Sequence, residues 1–130
     1  MLVQEERHLE FFNNQIQSRN TRPTIFLPLW RVAGYALGFI TSWCGHKTAM
    51  LCTQAVEEVI DEHYSSQVKD LQSIDDEKLL MLKIEEYRLE ELEHRDTALR
   101  NGSLDSPLYQ ILYGAIKSMC RVAIVLSKRY

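Results

Sequence analysis

Several things this sequence lacks narrow its chemistry before any residue is singled out. Cysteine is scarce: Cys44, Cys52 and Cys120 are odd in number, far apart and in no Cys-x-x-Cys spacing. That argues against a disulfide framework and for reduced thiols in a reducing compartment. There is no excess of positive charge, with 15 Lys and Arg against 18 Asp and Glu and a net charge of −3. A basic footprint for nucleic acid is therefore missing. No glycine-rich phosphate loop, strand alternation or short internal repeat is present, which leaves an all-α class. The uncharged run Val32 to Cys44 is thirteen residues, short of the roughly 20 that span a bilayer. Met1 to Asn14 is charged and helical in pattern, with neither the apolar segment of a signal peptide nor an Arg- and Ser-rich transit composition.

What remains is a chain of 130 residues, 45% hydrophobic and 25% charged, the proportions of one globular domain over residues 1–130. Met1 to Ser18 is expected as a helix, with Leu2, Glu5, Leu9, Phe12 and Ile16 at helical spacing and His8 on their side. It begins without a cap, and Asn20 to Pro23 breaks it, since Pro23 disfavours helical geometry at Arg22. Thr24 to Gly45 is the most apolar stretch. Pro28 suits a first helical turn, and Trp30 and Trp43 bracket the segment as interfacial aromatics do. A helix lying in a membrane surface or lining an apolar tunnel, and a buried core helix, both fit this pattern. Gly34 and Gly38 would let a second helix approach closely.

His46 to Leu71 reads as the next helix, with Met50, Thr53, Glu57, Tyr64, Val68 and Leu71 along one face and His63 beside it. Glu58, Asp61, Glu62 and Ser65 fall on a more polar face, so Glu57 points inward better than Glu58. After a polar link, Ser73 or Asp75 is the expected N-cap of a long helix with Glu77 in its first turn. Leu80, Ile84, Tyr87, Glu91, His94 and Ala98 form its inner line, and Asn101-Gly102 ends it. From Pro107 to about Lys128 a closing helix carries Tyr109, Leu112, Ile116, Met119 and Ala123 as one apolar stripe, with Lys117 and Arg121 outside it.

The chemistry concentrates in two Glu-x-x-His pairs, Glu5/His8 and Glu91/His94, with Glu57-Glu58 between them. Residues three apart on a helix share a face, about 5–6 Å apart at Cβ, so one metal ion can be held by both. Four-helix di-iron proteins draw a Glu from each of two helices and a Glu-x-x-His from each of the other two. A single Glu-x-x-His has a plain alternative, a solvated face with Glu91–Arg95 as an i,i+4 ion pair worth a few tenths of a kcal/mol. Glu5, Glu57 and Glu91, however, each interrupt an otherwise apolar line. Burying an unpaired carboxylate costs several kcal/mol, so three on three helices point to a shared cation. Carboxylates with two imidazoles and no thiolate suit iron or manganese better than structural zinc. His63 and Tyr64 are candidates for orienting the ligands, or ordinary core aromatics. Cys52 reads as packing, and no Ser/His/Asp or Cys/His nucleophile arrangement competes.

Four segments, RPTIFLPLWRVAGYALG (Arg22–Gly38), CTQAVEEVIDEHYSSQ (Cys52–Gln67), LEELEHRD (Leu89–Asp96) and CRVAIVLSKRY (Cys120–Tyr130), resemble the demethoxyubiquinone hydroxylases of ubiquinone biosynthesis. The resemblance runs over essentially the whole chain. It implies a ferritin-like di-iron monooxygenase on a membrane surface that hydroxylates the ring of a polyprenyl methoxy-benzoquinol, in the next-to-last step of the pathway. O2 and an external reductant such as NADH would be co-substrates. The implied iron ligands (Fe2+/Fe3+) are Glu5, His8, Glu57, Glu91 and His94. Phe26, Leu29, Trp30, Tyr35, Phe39 and Trp43 would meet the isoprenoid tail and the bilayer. The implied location is peripheral on an inner membrane, at the bacterial cytoplasmic face or the mitochondrial matrix face, as a homo-oligomer or within a ubiquinone-biosynthesis complex. Family members carry an earlier helix with a His-Ala-Gly-Glu motif supplying the first ligating Glu, and this sequence starts after it. The expected fold is thus an N-terminally truncated ferritin-like four-helix bundle with an extra apolar helix and a C-terminal helix. The alternatives are a non-catalytic membrane-surface module holding quinone or lipid, a degraded copy of the enzyme, or another ferritin-like activity such as metal storage or peroxide disproportionation.

Overall fold

A computed structural model describes residues 1–102 and 106–130. Helices α1 (Leu2–Ser18), α2 (Leu27–Trp43), α3 (His46–Leu71), α4 (Lys78–Asn101) and α5 (Pro107–Arg129) follow in order, with a single 3-10 turn, Asp75–Glu77, before α4. No strand occurs among the described residues, and the all-α arrangement is consistent with a ferritin-like bundle. Pro28 stands in the first turn of α2 and Pro107 opens α5, where a missing N–H costs nothing. Ser106 caps α5 by accepting a bond from the Tyr109 N–H at 3.2 Å. The corner between α2 and α3 is made by Gly45 at φ +113°, a backbone region that strains any side chain.

Helix α3 is the hub. Leu51, Cys52, Ala55, Val59 and Glu57 are all buried on it, and it packs against α4, α5 and α2. Glycine 102, just past α4, lies beside Met50 and Leu51 near the start of α3, so α3 and α4 are antiparallel. Ion pairs Lys117–Glu58 and Arg121–Glu62 advance together along both helices, so α5 runs parallel to α3. A core of Cys52, Ala55 and Ile116, with Leu37, Val56, Leu112, Tyr113 and Cys120 against it, joins α2, α3 and α5. Helix α1 lies antiparallel on α4, held by Arg19–Glu77 at one end and by Arg7–Glu90 further along. Leu51 is fully enclosed. Leu51→Ala is expected to cost about 2–5 kcal/mol, read as a lower denaturation midpoint at unchanged slope.

Four local expectations are corrected. Neither Ser73 nor Asp75 caps α4: the Ser73 hydroxyl bonds back to the Asp70 carbonyl at 3.4 Å, the chain enters α4 through the 3-10 turn, and Glu77 instead takes a two-pronged bond from Arg19. On α1, Leu2 (74% exposed) and Leu9 (56%) face outward, because the helix is rotated to bury His8 against Tyr87, ring centroids 4.0 Å apart. Nothing lies within 4 Å of a side chain built at Gly34 or Gly38, so these glycines do not serve a close helix crossing. Met119, expected in the inner stripe of α5, is exposed; Ile116 one turn earlier takes the enclosed position.

The exposed apolar side chains of α2 have a counterpart on α5. Leu29, Val32, Tyr35, Phe39 and Trp43 are exposed on α2, the two aromatics Tyr35 and Trp43 by 83% and 81%. Leu108, Ile111, Met119, Val122 and Val125 are exposed on α5. Among the described residues α5 is the one helix long and apolar enough to cross a membrane, and 6% of its apolar window is buried. Between α2 and α5 an apolar cavity of about 470 Å³ is lined by Trp30, Gly34, Leu37, Cys120 and Ala123. Trp30 and Phe26 are the half-buried end of this surface. The Trp30 indole N–H donates to the Ser127 hydroxyl at 2.9 Å, and Phe26 meets the Tyr130 ring edge-on.

Candidate metal centre

Three helices bring one residue after another to the same place. The inner line of α4 is buried as expected at Ile84, Tyr87, Glu91, His94 and Ala98, because the 3.6-residue period keeps these positions under α1 and α3. Helix α3 contributes Glu57, buried, while Glu58 turns outward to Lys117 at 3.1 Å. Helix α1 contributes Glu5 and His8. Ligand atoms of Glu5, Glu57, Glu91 and His94 all lie within 4.8 Å of one another. The fifth residue is adjacent: His8 Nδ1 stands 2.9 Å from Glu91 Oε1. His94 Nδ1 stands 3.1 Å from Glu5 Oε1 and 3.2 Å from Glu91 Oε2. The plain alternative for Leu89–Asp96 does not hold, since Arg95 pairs with Asp96 and Glu91 is 2% exposed.

Burial and mutual repulsion set the electrostatics. Burial, the hydrogen bond with Glu91 and the charges of Glu91 and Glu5 push Glu57 up to about 10. Burial and then Glu91 also raise Glu5, although its side chain is 47% exposed. Tyr64 is half-buried near the cluster. Burial, followed by the charges of Glu91, Glu5 and Glu57, lifts its hydroxyl well above the ordinary phenol range. His63 stacks on Tyr64 at 6.4 Å between centroids, but burial and then Lys128 are what lower its imidazole. It therefore belongs to the α5 side, and Tyr64 alone of the pair senses the carboxylates.

Whether this donor set fits metal ions can be tested on its unsatisfied atoms. His8 Nδ1 and Glu57 Oε2 are buried without any hydrogen-bond partner; the 2.9 Å approach of His8 to Glu91 lacks hydrogen-bonding geometry. Orphaned buried polar atoms are rare and costly, and here both border the same carboxylates. Three carboxylates and two imidazole nitrogens crowded within ordinary contact distance fit divalent iron or manganese. Cys52 and Cys120 are outside the cluster, in the apolar core between α3 and α5, and all three cysteines are free.

Three residues escaped the sequence reading. Gln4 Oε1 accepts from His94 Nε2 at 2.8 Å, and Glu90 Oε2 accepts from His8 Nε2 at 2.8 Å. Arg7 pairs with the other Glu90 oxygen. Against the burial that would raise it, hydrogen bonds from Arg7 and His8 hold the Glu90 carboxyl below its ordinary range. For Gln4 and Glu90 the signal was the place just before each Glu-x-x-His, but which imidazole each one meets depends on how α1 lies on α4.

Comparison with known proteins gives the family of the chain. The family model described as ubiquinone biosynthesis protein COQ7 matches residues 1–127. The 3-demethoxyubiquinol 3-hydroxylase of Rhodospirillum rubrum is 48% identical over 129 residues, covering 99% of this chain and 60% of the relative. The NADPH-dependent 3-demethoxyubiquinone 3-hydroxylase, mitochondrial, of Rattus norvegicus is 44% identical, covering 100% and 61%. The 5-demethoxyubiquinone hydroxylase, mitochondrial, of Saccharomyces cerevisiae is 35% identical, covering 97% and 60%. The chain thus spans about 60% of the length of the curated relatives it matches. With a family match running from the first residue of α1 through nearly all of α5, the chain belongs to the ubiquinone biosynthesis protein COQ7 family.

Proposed function

We propose that this chain forms a single ferritin-like di-iron domain of a monooxygenase that hydroxylates the ring of a polyprenyl methoxy-benzoquinol. The observation that carries the reading is the convergence of Glu5, Glu57, Glu91 and His94 within 4.8 Å, beside the orphaned His8 Nδ1 and Glu57 Oε2. Glu5, His8, Glu57, Glu91 and His94 would hold the metal. When bound, two iron ions supply O2 activation with electrons from an external reductant. The name of the Rattus norvegicus relative gives NADPH in that role for that protein. The protein's own part is to exclude water with Ile84, Tyr87 and Ala98, to neutralise the buried carboxylates with metal charge, and to hold the Tyr64 hydroxyl protonated beside them.

The exposed apolar side chains of α2 and α5 support a seat on an inner-membrane surface, where the substrate's tail would partition. Phe26 and Trp30 border the cavity between the two helices, and Leu29, Tyr35, Phe39 and Trp43 would face lipid. The test is turnover. Purified chain loaded anaerobically with Fe(II) and given demethoxyubiquinol, O2 and NADPH or NADH in liposomes should yield the hydroxylated ring. A well-folded chain that binds no iron would end the enzyme reading. The same apolar surface also favours a second reading, a quinone- or lipid-holding module without catalysis. That module would keep quinone and liposome binding in His94→Ala and be indifferent to iron.

A further inference from the structure

All 18 acidic residues of the chain lie within residues 1–10 and 57–105, together with seven Lys and Arg. Residues 11–56 and 106–130, which include α2 and α5, carry the other eight Lys and Arg and no acid. A segment that is merely apolar avoids charge of both signs, whereas this half excludes only the negative one. Three of its cations, Arg19, Lys117 and Arg121, pair with Glu77, Glu58 and Glu62 of the acidic half. Arg22, Arg31, Lys47, Lys128 and Arg129 are exposed and make no ion pair among the described residues. Four of these five gather where the start of α2 is fastened to the end of α5. There the Ile25 N–H donates to the Tyr130 carbonyl at 3.0 Å, and the Trp30 indole donates to Ser127. Arg31, Lys128 and Arg129 each adjoin a residue of that joint in the chain, and Arg22 stands three before Ile25. We infer that this end of the α2–α5 pair is a binding site for an anionic phospholipid, its phosphate held by Arg22, Arg31, Lys128 and Arg129 and an acyl chain lying in the cavity between the two helices. This rests on the membrane-surface reading above and adds to it the class of lipid and the side of the molecule that meets it.

Guanidinium and ammonium groups are strong partners for a phosphate, and at this joint no carboxylate competes for them. The cavity, about 470 Å³, runs from Trp30 along Gly34 and Leu37, a size in the range of ligand sites. The Ser118 hydroxyl and the Trp30 indole N–H at its wall are already bonded within the protein, to Gly114 and Ser127. A ligand there meets apolar surface, which suits a hydrocarbon chain. Charge also sets the orientation. A negative lipid surface attracts cations and repels acids within about a Debye length. The half that holds α3, α4 and the start of α1, with 18 acids against seven cations, is turned from such a surface, and α1 and α4 stay on the aqueous side.

Sedimentation of the full chain with vesicles tests this. Binding to equimolar phosphatidylcholine and phosphatidylglycerol should be on the order of 100-fold tighter than to phosphatidylcholine alone, from about fivefold per cation at the surface. It should weaken as salt is raised. Arg22→Gln, Arg31→Gln, Lys128→Gln and Arg129→Gln together should abolish that preference and leave the phosphatidylcholine binding as it was. Lys69→Gln, Lys78→Gln and Arg100→Gln together, exposed cations of the acidic half without ion pairs, should bind as the parent does. Trp43→Phe leaves Trp30 as the one tryptophan. In mixed vesicles its emission should be quenched more by brominated chains on phosphatidylglycerol than by the same chains on phosphatidylcholine. Equal binding to both vesicles, an equal loss in the two charge variants, or equal quenching from both lipids overturns the phospholipid site and leaves the membrane reading standing. Displacement by inorganic phosphate at constant ionic strength overturns it too, and assigns the cations to a soluble phosphate. A folded chain that binds neither vesicle overturns both readings.

Discussion

Glu57→Gln is expected to make the metal-free chain more stable and to make it a poor iron protein. Glu57 is buried beside Glu91 and Glu5, which with burial raise it from 4.5 to about 10. Between those limits the folded chain holds a proton that the unfolded chain has released. Stability contributed by that proton is therefore fully present below about pH 4.5 and is lost as pH rises toward 10, by about 1.4 kcal/mol per unit. At pH 7 the loss reaches up to about 3 kcal/mol. Glutamine keeps the shape and carries no proton to lose, so the variant should melt on the order of 10 °C higher at pH 7. Its advantage should grow at pH 8.5 and vanish near pH 4.5. Thermal melts in chelator at three pH values decide it, and parallel profiles for parent and variant would refute the assignment. Metal reverses the balance, because the same carboxylate becomes a ligand once its proton is displaced. A site that lowers stability when bare is what a functional centre under selection for chemistry looks like.

Glu91→Ala should have the largest effect on metal. Glu91 is the hub of the cluster, within 3.2 Å of both histidines and hydrogen-bonded to Glu57. Removing it takes a carboxylate from any ion placed among these groups, and iron retention after desalting should fall to background. Glu93→Ala, an exposed position two residues on and therefore on the opposite side of the helix, should retain iron like the parent. Under the solvated-face alternative both variants would behave alike and lose only a few tenths of a kcal/mol. Iron content by mass spectrometry of the two proteins separates the cases directly.

The contrast between α4 and α1 shows what could be read in advance. On α4 one apolar line with two polar interruptions defines a single face, so Ile84, Tyr87, Glu91, His94 and Ala98 were legible as inward. On α1 apolar side chains occur around more of the circumference. Leu2, Leu9, Phe11 and Phe12 allow more than one rotation, and periodicity could not choose among them. The choice is made by Tyr87, which draws His8 and the two phenylalanines to it at 4.0 to 6.0 Å. The α4 cap was misjudged for a similar reason: Ser73 and Asp75 are good local caps, but Arg19 from another helix claims Glu77 and a 3-10 turn intervenes.

Residue order along the chain was enough to establish the all-α class, the limits of α3 to the residue, and which acids interrupt apolar faces. These follow from local periodicity and the cost of burying charge, which act within one helix. Which imidazole faces which carboxylate, that Gln4 and Glu90 cross between helices, and that α5 shares the apolar surface with α2 were decided by tertiary packing alone. Rotation and offset between helices are set by side chains far apart in the chain, and no spacing within a single helix encodes them.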